Sequence, residues 1–160
     1  MNLKQLALAW LAYRGHSAHI ELGLNSWGKL RADIWAFKTV KGQIRSTLIE
    51  LKSGFPDFDS DQKFHKYREF ANQCYLAIDL SKLNPRQIKK VRARTKEAGF
   101  GLLDIRVGEC RLHPKRAVSL KVKVVIPCKI VEVAPKITHL ILKRIAFRSG
   151  THKRNLKDKL

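Results

Sequence analysis

The chain has 160 residues and a net charge of +20 at neutral pH, from 33 Lys and Arg against 13 Asp and Glu. This length is enough for one compact domain with at most a small appendage. An excess of positive charge favours a polyanionic partner, and nucleic acid is the leading candidate because phosphate binding releases counterions. A ribosomal protein has the same charge balance and is the alternative.

The sequence gives no sign of a membrane or secreted protein. No segment approaches the roughly 18–20 uninterrupted apolar residues of a transmembrane helix. The stretch MNLKQLALAWLAYRG lacks a small-residue cleavage pattern and fits an amphipathic helix better than a signal peptide. The three cysteines, Cys74, Cys110 and Cys128, are odd in number and widely spaced, which is typical of free thiols. We therefore expect an intracellular, cytoplasmic protein with no membrane partner.

The first part of the chain is predicted to form a helix followed by three strands. Apolar residues at helical spacing predict a helix over residues 2–14 that ends at Gly15. Alternating apolar residues predict strands over 16–22, 31–37 and 44–52. A turn at Gly42 joins the second and third strands, so we expect these two to pair antiparallel.

The middle of the chain alternates between helices and apolar strands. The predicted elements are a helix from Asp59 or Ser60 to about Asn72, a buried strand from Cys74 to Leu80, a helix from Pro85 to Ala98 with Asn84 as its cap, and a strand from Phe100 to Val107. The order β-β-β-α-β-α-β predicts an α/β fold with a mixed central sheet flanked by helices.

The pattern is weaker after Gly108. Alternation over Val118–Val125 predicts an exposed edge strand, and Pro135 is placed to open an amphipathic helix. We assign residues 1–115 to the core domain, 116–150 to a strand and helix extension, and 151–160 to a basic flexible tail.

Three residues of the second and third strands indicate a metal site. Side chains alternate between the faces of a strand, so Glu50 and Lys52 share one face while Ile49 and Leu51 point to the other. If the second strand is adjacent and antiparallel, Asp33 reaches the face of Glu50 and Lys52. Two carboxylates and an ammonium at the end of a hairpin suit a divalent cation beside a phosphate.

Each of these residues has a predicted role in phosphodiester hydrolysis. The carboxylates of Asp33 and Glu50 and the backbone carbonyl of Leu51 are the expected metal ligands. Mg²⁺ is the expected cofactor, with Mn²⁺ as a substitute. Lys52 orients the attacking water or contacts the scissile phosphate; a general-base role would require burial to lower its pKa.

Two further polar residues are candidates for supporting roles. Glu21 on the first strand is a candidate for a second metal site, although an exposed acid on an edge strand is the alternative. Gln62 either contributes to the site or closes a capping arrangement at the start of the following helix.

The motif D-x16-E-L-K, followed by Ser60-x-Gln62, resembles that of the PD-(D/E)XK nuclease superfamily. More narrowly, RADIWAF…LIELKSGFPDFDSDQKFHKY…CYLAID…GFGLLDI is similar to the MmcB-like DNA-repair group over about residues 3–110. The resemblance implies a restriction-endonuclease-like three-layer core, Mg²⁺ bound by Asp33 and Glu50, and assistance from Lys52. Ala32 stands where the motif name has proline, at a position that varies in the superfamily.

Basic residues around this motif and on the helix after Asn84 are candidates for contacts with the DNA backbone. They are Lys29, Arg31, Lys63, Arg86, Lys89, Lys90, Arg92 and Arg94. A solvated charged face is the alternative for the helix. Trp27, in a polar loop, is a candidate for base stacking. A zinc site at Cys110, His113 and Cys128 is not favoured because a fourth ligand is missing.

These features predict an Mg²⁺-dependent DNA endonuclease of the repair, junction-resolving or site-specific (homing or restriction-like) type. The resemblance implies 5′-phosphate and 3′-hydroxyl products. One site cuts one strand, so we expect a homodimer through the Val118–Val125 edge or the helix after Pro135. A non-catalytic nucleic-acid-binding protein on the same fold, or an enzyme acting on RNA, are the alternatives.

Overall fold

The computed structural model describes residues 1–25, 29–109 and 111–157, and for residues 149–157 it describes the backbone alone. Trp27 and Cys110, named above for stacking and zinc binding, lie outside the described residues. The strands are β1 (Ser17–Gly23), β2 (Arg31–Val40), β3 (Gln43–Leu51), β4 (Gln73–Ile78), β5 (Gly101–Ile105) and β6 (Val122–Ile126). The α-helices are α1 (Leu3–Tyr13), α2 (Phe55–Ser60), α3 (Pro85–Glu97), α4 (Pro114–Lys121) and α5 (Pro135–Lys157). Short 3-10 helices span Phe64–Phe70 and Leu80–Lys82.

The strands form a single mixed sheet in sequence order, from β1 to β6. β1, β2 and β3 are antiparallel neighbours, β3, β4 and β5 are parallel, and β6 is antiparallel to β5. The carboxyl ends of β3, β4 and β5 and the amino end of β2 therefore lie at one edge of the sheet, which we call the carboxyl edge.

Helices cover both faces of the sheet. On one face, α1 and α4 pack against a cluster that includes Ile34, Ile49 and Leu103. On the other, α2, the 64–70 helix, α3 and α5 pack against a cluster that includes Trp35 and Leu76. The predicted α/β fold with a mixed sheet between helical layers is confirmed.

Local sequence signals explain where the confirmed helices begin. Asn2 and Gln5 form a capping box at the start of α1, and Asn84 and Gln87 form one at the start of α3, where Pro85 occupies the first turn. Among the described helices, none is both long enough and apolar enough to cross a bilayer.

The helix predicted from Asp59 or Ser60 to Asn72 is wrong. The chain forms α2 earlier, directly after Gly54 and with Pro56 in its first turn, and then the separate 64–70 helix. Gly54 and Pro56 follow the third predicted strand, and a proline in the first turn is a helix-start signal.

The strand predicted over Val118–Val125 is wrong in its first half. His113 caps α4, whose first turn holds Pro114, and Val118 is a buried residue of this helix. Only the second half is extended, as β6, which pairs with β5 and completes the sheet. The helix after Pro135 is confirmed, and its backbone continues to Lys157, beyond the start of the predicted tail.

Candidate active site

The candidate active site lies where the pairing of β2 and β3 ends at the carboxyl edge. The last paired residues are Ile34 and Ile49. Beyond them, the Asp33 amide donates to Glu50 Oε1 over 3.3 Å, and the Leu51 amide donates to Asp33 Oδ2 over 2.8 Å. Side-chain carboxylates thus take the place of backbone carbonyls as acceptors, which fixes both carboxylates between the strands.

Burial makes this carboxylate pair unusual. The Glu50 side chain is almost fully buried, with 4% exposure of the residue, and Asp33 is half-buried. Burial and the nearby charge of Asp33 raise the pKa of Glu50 to about 8. Burial also raises the pKa of Asp33, although the Leu51 amide and Lys52 oppose the shift. The pair therefore retains a proton near neutral pH unless another cation takes its place.

Lys52 lies beside the two carboxylates as a charged group. Ile49 and Leu51 pack on the opposite face of the sheet, which confirms the predicted alternation. Lys52 Nζ donates to Asp61 Oδ2 over 2.6 Å, and the residue is 6% exposed. Burial favours the neutral amine, but the hydrogen bond and charge of Asp61 outweigh it and raise the pKa of Lys52. The lowered pKa that a lysine general base requires is not found.

Sequence analysis missed Asp61, the residue that holds Lys52 in this state. Its other carboxylate oxygen accepts the Lys63 and Phe64 amides, over 2.7 and 3.1 Å. These hydrogen bonds and Lys52 lower the pKa of Asp61 although burial acts in the opposite direction. The sequence does contain a signal for this pairing. A lysine on a buried strand needs an acidic partner, and the acidic segment DFDSD follows Lys52 closely in the sequence.

The oxygen atoms at this position suit a hard divalent cation. Within the described residues, no group of three or more His, Cys, Asp or Glu side chains is arranged to hold a metal. The predicted ligands are two carboxylates and the Leu51 carbonyl, all oxygen atoms, which Mg²⁺ and Mn²⁺ prefer. A divalent ion would also remove the repulsion that raises the pKa of Glu50, so the residues present fit this cofactor.

Comparison with known proteins identifies the family. Residues 1–89 match the family described as DNA repair protein MmcB-like. The chain belongs to the MmcB-like family. The match covers more than half of the chain, including Asp33, Glu50, Lys52 and Asp61, and confirms the resemblance to the MmcB-like group. Membership of a DNA-repair family indicates an interaction with DNA.

The fold of this MmcB-like protein also occurs in a solved structure. The SPO1766 protein of unknown function from Silicibacter pomeroyi aligns with a TM-score of 0.66 and 22% identity over 98% of this chain and 90% of that chain. At this identity the likeness shows a shared fold. No curated protein matches the sequence significantly.

The two predicted supporting residues occupy different positions in this MmcB-like protein. Glu21 is exposed and forms an ion pair with Lys4 over 3.6 Å, and the charge of Lys4 in turn acts on the pKa of Asp33. Gln62 is exposed and donates to the Asp59 carbonyl over 3.0 Å, which secures the end of α2. Glu21 is therefore connected to the site through its ion pair with Lys4, whereas the hydrogen bond of Gln62 stabilises only the local backbone.

The predicted DNA contacts separate into two groups. Six are exposed and form no ion pair within the described residues: Lys29, Arg31, Lys63, Arg86, Lys89 and Arg92. The other two have protein partners. Lys90 forms an ion pair with Asp59 over 2.7 Å. Arg94 donates to the carbonyls of Phe58 and Asp61, over 3.3 and 2.7 Å, and so secures the loop that holds Lys52 in place.

Tyr67 is a further residue whose position sequence analysis did not anticipate. It lies in the 64–70 helix, close enough to Glu50, Asp61 and Asp33 for their charges to act on its hydroxyl. Burial and the charges of Glu50, Asp61 and Asp33 raise its pKa to about 12. Its hydroxyl therefore stays protonated at neutral pH.

Proposed function

We propose that this MmcB-like protein is a divalent-metal-dependent nuclease that hydrolyses phosphodiester bonds in DNA. The observation that supports this most strongly is the interlocked pair of Asp33 and Glu50 beside the charged Lys52. Two buried carboxylates that lack sufficient donors favour cation binding, and a fixed ammonium beside them favours a phosphate. The DNA-repair family supports DNA as the substrate.

The protein's residues have distinct roles in this proposal. Asp33, Glu50 and the Leu51 carbonyl would hold Mg²⁺, and Mn²⁺ would substitute. A divalent ion bound there polarises the phosphate and favours deprotonation of water. Lys52 places a permanent positive charge against the phosphate oxygens, where negative charge increases in the transition state. Asp61 orients Lys52, and Glu21 and Gln62 are proposed to support the site from its margins.

The reaction is an in-line displacement. The water oxygen forms a bond to phosphorus, the bond from phosphorus to the 3′ oxygen breaks, and the 3′ oxygen takes up a proton. The products have 5′-phosphate and 3′-hydroxyl ends. Among the types of nuclease considered above, the family supports a repair enzyme.

Cleavage assays test this function directly. A nicked duplex, a flap, a four-way junction and a random duplex library are incubated with the wild type and with Mg²⁺ or Mn²⁺. We expect cleavage of at least one substrate, loss of cleavage in Glu50→Ala and Lys52→Ala, and DNA binding by both variants within a few-fold of the wild type. A wild type that cleaves neither DNA nor RNA would replace the nuclease with a non-catalytic nucleic-acid-binding protein. Competition between DNA and RNA decides the preferred polymer.

We also propose a homodimer in the cytoplasm, since cutting both strands of a duplex requires two such sites. β6 is an edge strand of the sheet, with Val124 exposed, and Leu120 on the preceding helix is 66% exposed. Sedimentation with and without DNA tests this assembly, and a monomer under both conditions contradicts it.

A further inference from the structure

A cleft separate from the carboxylate pair lies at the same carboxyl edge of the sheet. Its volume is about 610 Å³, and it lies between the amino-terminal half of α3 and the β5–β6 pair. Three cationic residues border it: Arg92, Arg106 and Lys123. Leu83 and Ile88 supply apolar surface. The cleft thus combines positive charge with a surface against which sugars or bases can pack.

Most of the positive charge in this cleft is available to a ligand. Asp104 is the acidic residue among those that line it, and its side chain is 8% exposed. Its carboxylate accepts the Leu80 amide over 2.9 Å and Arg106 over 3.4 Å. Arg92 and Lys123 are exposed, and neither has an ion-pair partner within the described part of the chain. Two cations therefore face solvent without an acid to neutralise them.

The cleft is in line with the candidate active site. Lys52 follows β3 and donates its amide to Ala77 of β4, and Arg106 follows β5 and donates its amide to Lys121, just before β6. Parallel strands are about 4.8 Å apart, so the end of β5 lies about 10 Å from the end of β3. On duplex DNA each strand carries one phosphate per about 3.4 Å of helix axis, so this separation corresponds to about three nucleotides.

We infer that this cleft binds the phosphate backbone of the nucleic-acid strand whose scissile phosphate lies at Asp33, Glu50 and Lys52. The inference rests on the proposed function and adds the direction in which the bound strand runs across the protein. The strand leaves the active site along the carboxyl edge, past the start of α3, toward β6. Arg106 and Lys123 thereby join Arg92 as phosphate contacts, although sequence analysis assigned neither of them to DNA.

Matched charge reversals test this path. The cleft variant combines Arg92→Glu and Lys123→Glu. The control variant combines Lys41→Glu and Lys129→Glu, which makes the same change in net charge at exposed residues of the opposite edge. Lys41 precedes β3, and Lys129 follows Cys128, whose Sγ lies 3.9 Å from the Gly99 carbonyl before β5. Circular dichroism verifies folding, and Arg92→Gln with Lys123→Gln repeats the test without introducing acids.

The measurement is fluorescence anisotropy of a labelled duplex DNA oligonucleotide over a range of salt concentrations. We expect the cleft variant to bind about 10-fold more weakly at low salt and to lose about two units of the slope of log K against log salt, while the control changes little. Equal weakening of DNA binding in both variants, or no weakening in either, overturns the inference. In both cases the charges of the cleft would have no specific effect on binding.

Cleavage mapping supplies a second readout. A neutral methylphosphonate about three nucleotides to one side of the cut should weaken binding by the wild type and have no further effect on the cleft variant. An equal effect on both proteins overturns the path. The binding experiment does not require cleavage. If the wild type is inactive, the proposed nuclease activity is rejected, and the two charge-reversal variants still show whether the cleft binds DNA.

Discussion

Two pairs of acidic residues lie at the carboxyl edge, and their surroundings differ. One pair is Asp33 and Glu50, between β2 and β3. The other is Asp79 and Asp104, at the ends of β4 and β5, and both of these residues are 6% exposed. Glu50 is similarly buried, at 4% exposure, and Asp33 is half-buried, so low solvent exposure alone does not set the first pair apart.

The difference between the pairs lies in their hydrogen-bond donors. Asp79 accepts the Val107 amide over 2.9 Å and the Ser81 amide over 3.1 Å, and it also accepts the Ser81 hydroxyl. Burial raises the pKa of Asp79, but these donors outweigh burial and the pKa is lowered. Asp33 and Glu50 have one backbone amide donor each among the described hydrogen bonds. Carboxylates with sufficient donors stabilise the fold, whereas a pair with too few favours a cation.

The largest expected effect is that of Glu50→Gln on cleavage. Glutamine keeps an oxygen for the Asp33 amide but removes a metal-ligating charge, so we expect cleavage to fall by at least about 100-fold. The free energy of unfolding without metal should stay the same or rise, because the repulsion from Asp33 is removed. Asp79→Asn is the matched control and should retain cleavage. Equal activity losses in the two variants would remove the functional difference between the pairs.

The pH dependence of stability should have opposite signs for Glu50 and Asp79. Glu50 has a pKa raised from 4.5 to about 8 in the folded protein, so its contribution is complete below pH 4.5 and is lost as the pH rises through 8. The metal-free protein should lose stability on the order of a few kcal/mol across this range. Urea denaturation at several pH values measures it. Glu50→Gln should flatten the profile and Mg²⁺ should restore stability at pH 8; a flat wild-type profile contradicts this account.

Asp61→Asn should lower cleavage by about 10-fold, because a neutral amide holds the Lys52 ammonium less firmly in place. Divalent-cation affinity should be unchanged, since Asp61 is not a proposed ligand. Asp59→Asn, which removes ion pairs with Lys90 and Arg94 but leaves the Arg94 hydrogen bonds to the Phe58 and Asp61 carbonyls, is the control. Steady-state cleavage with saturating Mg²⁺ separates the two variants, and an identical response would show that Asp61 acts only through the stability of the loop.

The smallest expected effect is that of Asp79→Asn on stability. The amide nitrogen cannot accept the Val107 or Ser81 amide, so unfolding should become easier by about 1–3 kcal/mol. The lowered pKa of Asp79 means that its contribution is present above its unfolded value of 3.8 and is lost as the pH falls through the lower, folded value. Chemical denaturation at neutral and acidic pH measures both effects, and a larger loss at acidic pH would contradict the assignment.

Sequence patterns predicted most of the architecture, because the elements that form the core follow simple periodicity. The alternation of Ile49, Glu50 and Leu51 is enough to assign their faces, and Asn84-Pro85 is enough to start α3. The patterns failed where one signal has two meanings. A proline can mark the end of one element or the start of a helix. Pro56 and Pro114 each lie in the first turn of a helix.

The site itself was only partly predictable. Asp33, Glu50 and Lys52 were identified because the strand period and the family motif agree. Asp61 was missed because its partnership with Lys52 depends on where the loop after α2 returns, which periodicity does not encode. The difference in hydrogen-bond donors between the two acidic pairs could not be predicted either, because it depends on which backbone amides the tertiary structure places near the carboxylates.

The most direct test of the central claim is calorimetric titration of Mn²⁺ into the metal-free wild type, Asp33→Asn and Asp79→Asn at pH 8. We predict one binding site per chain in the wild type, loss of that site in Asp33→Asn, and an unchanged site in Asp79→Asn. Absence of binding to the wild type, or equal binding by Asp33→Asn, would contradict the assignment of Asp33 and Glu50 as a metal centre.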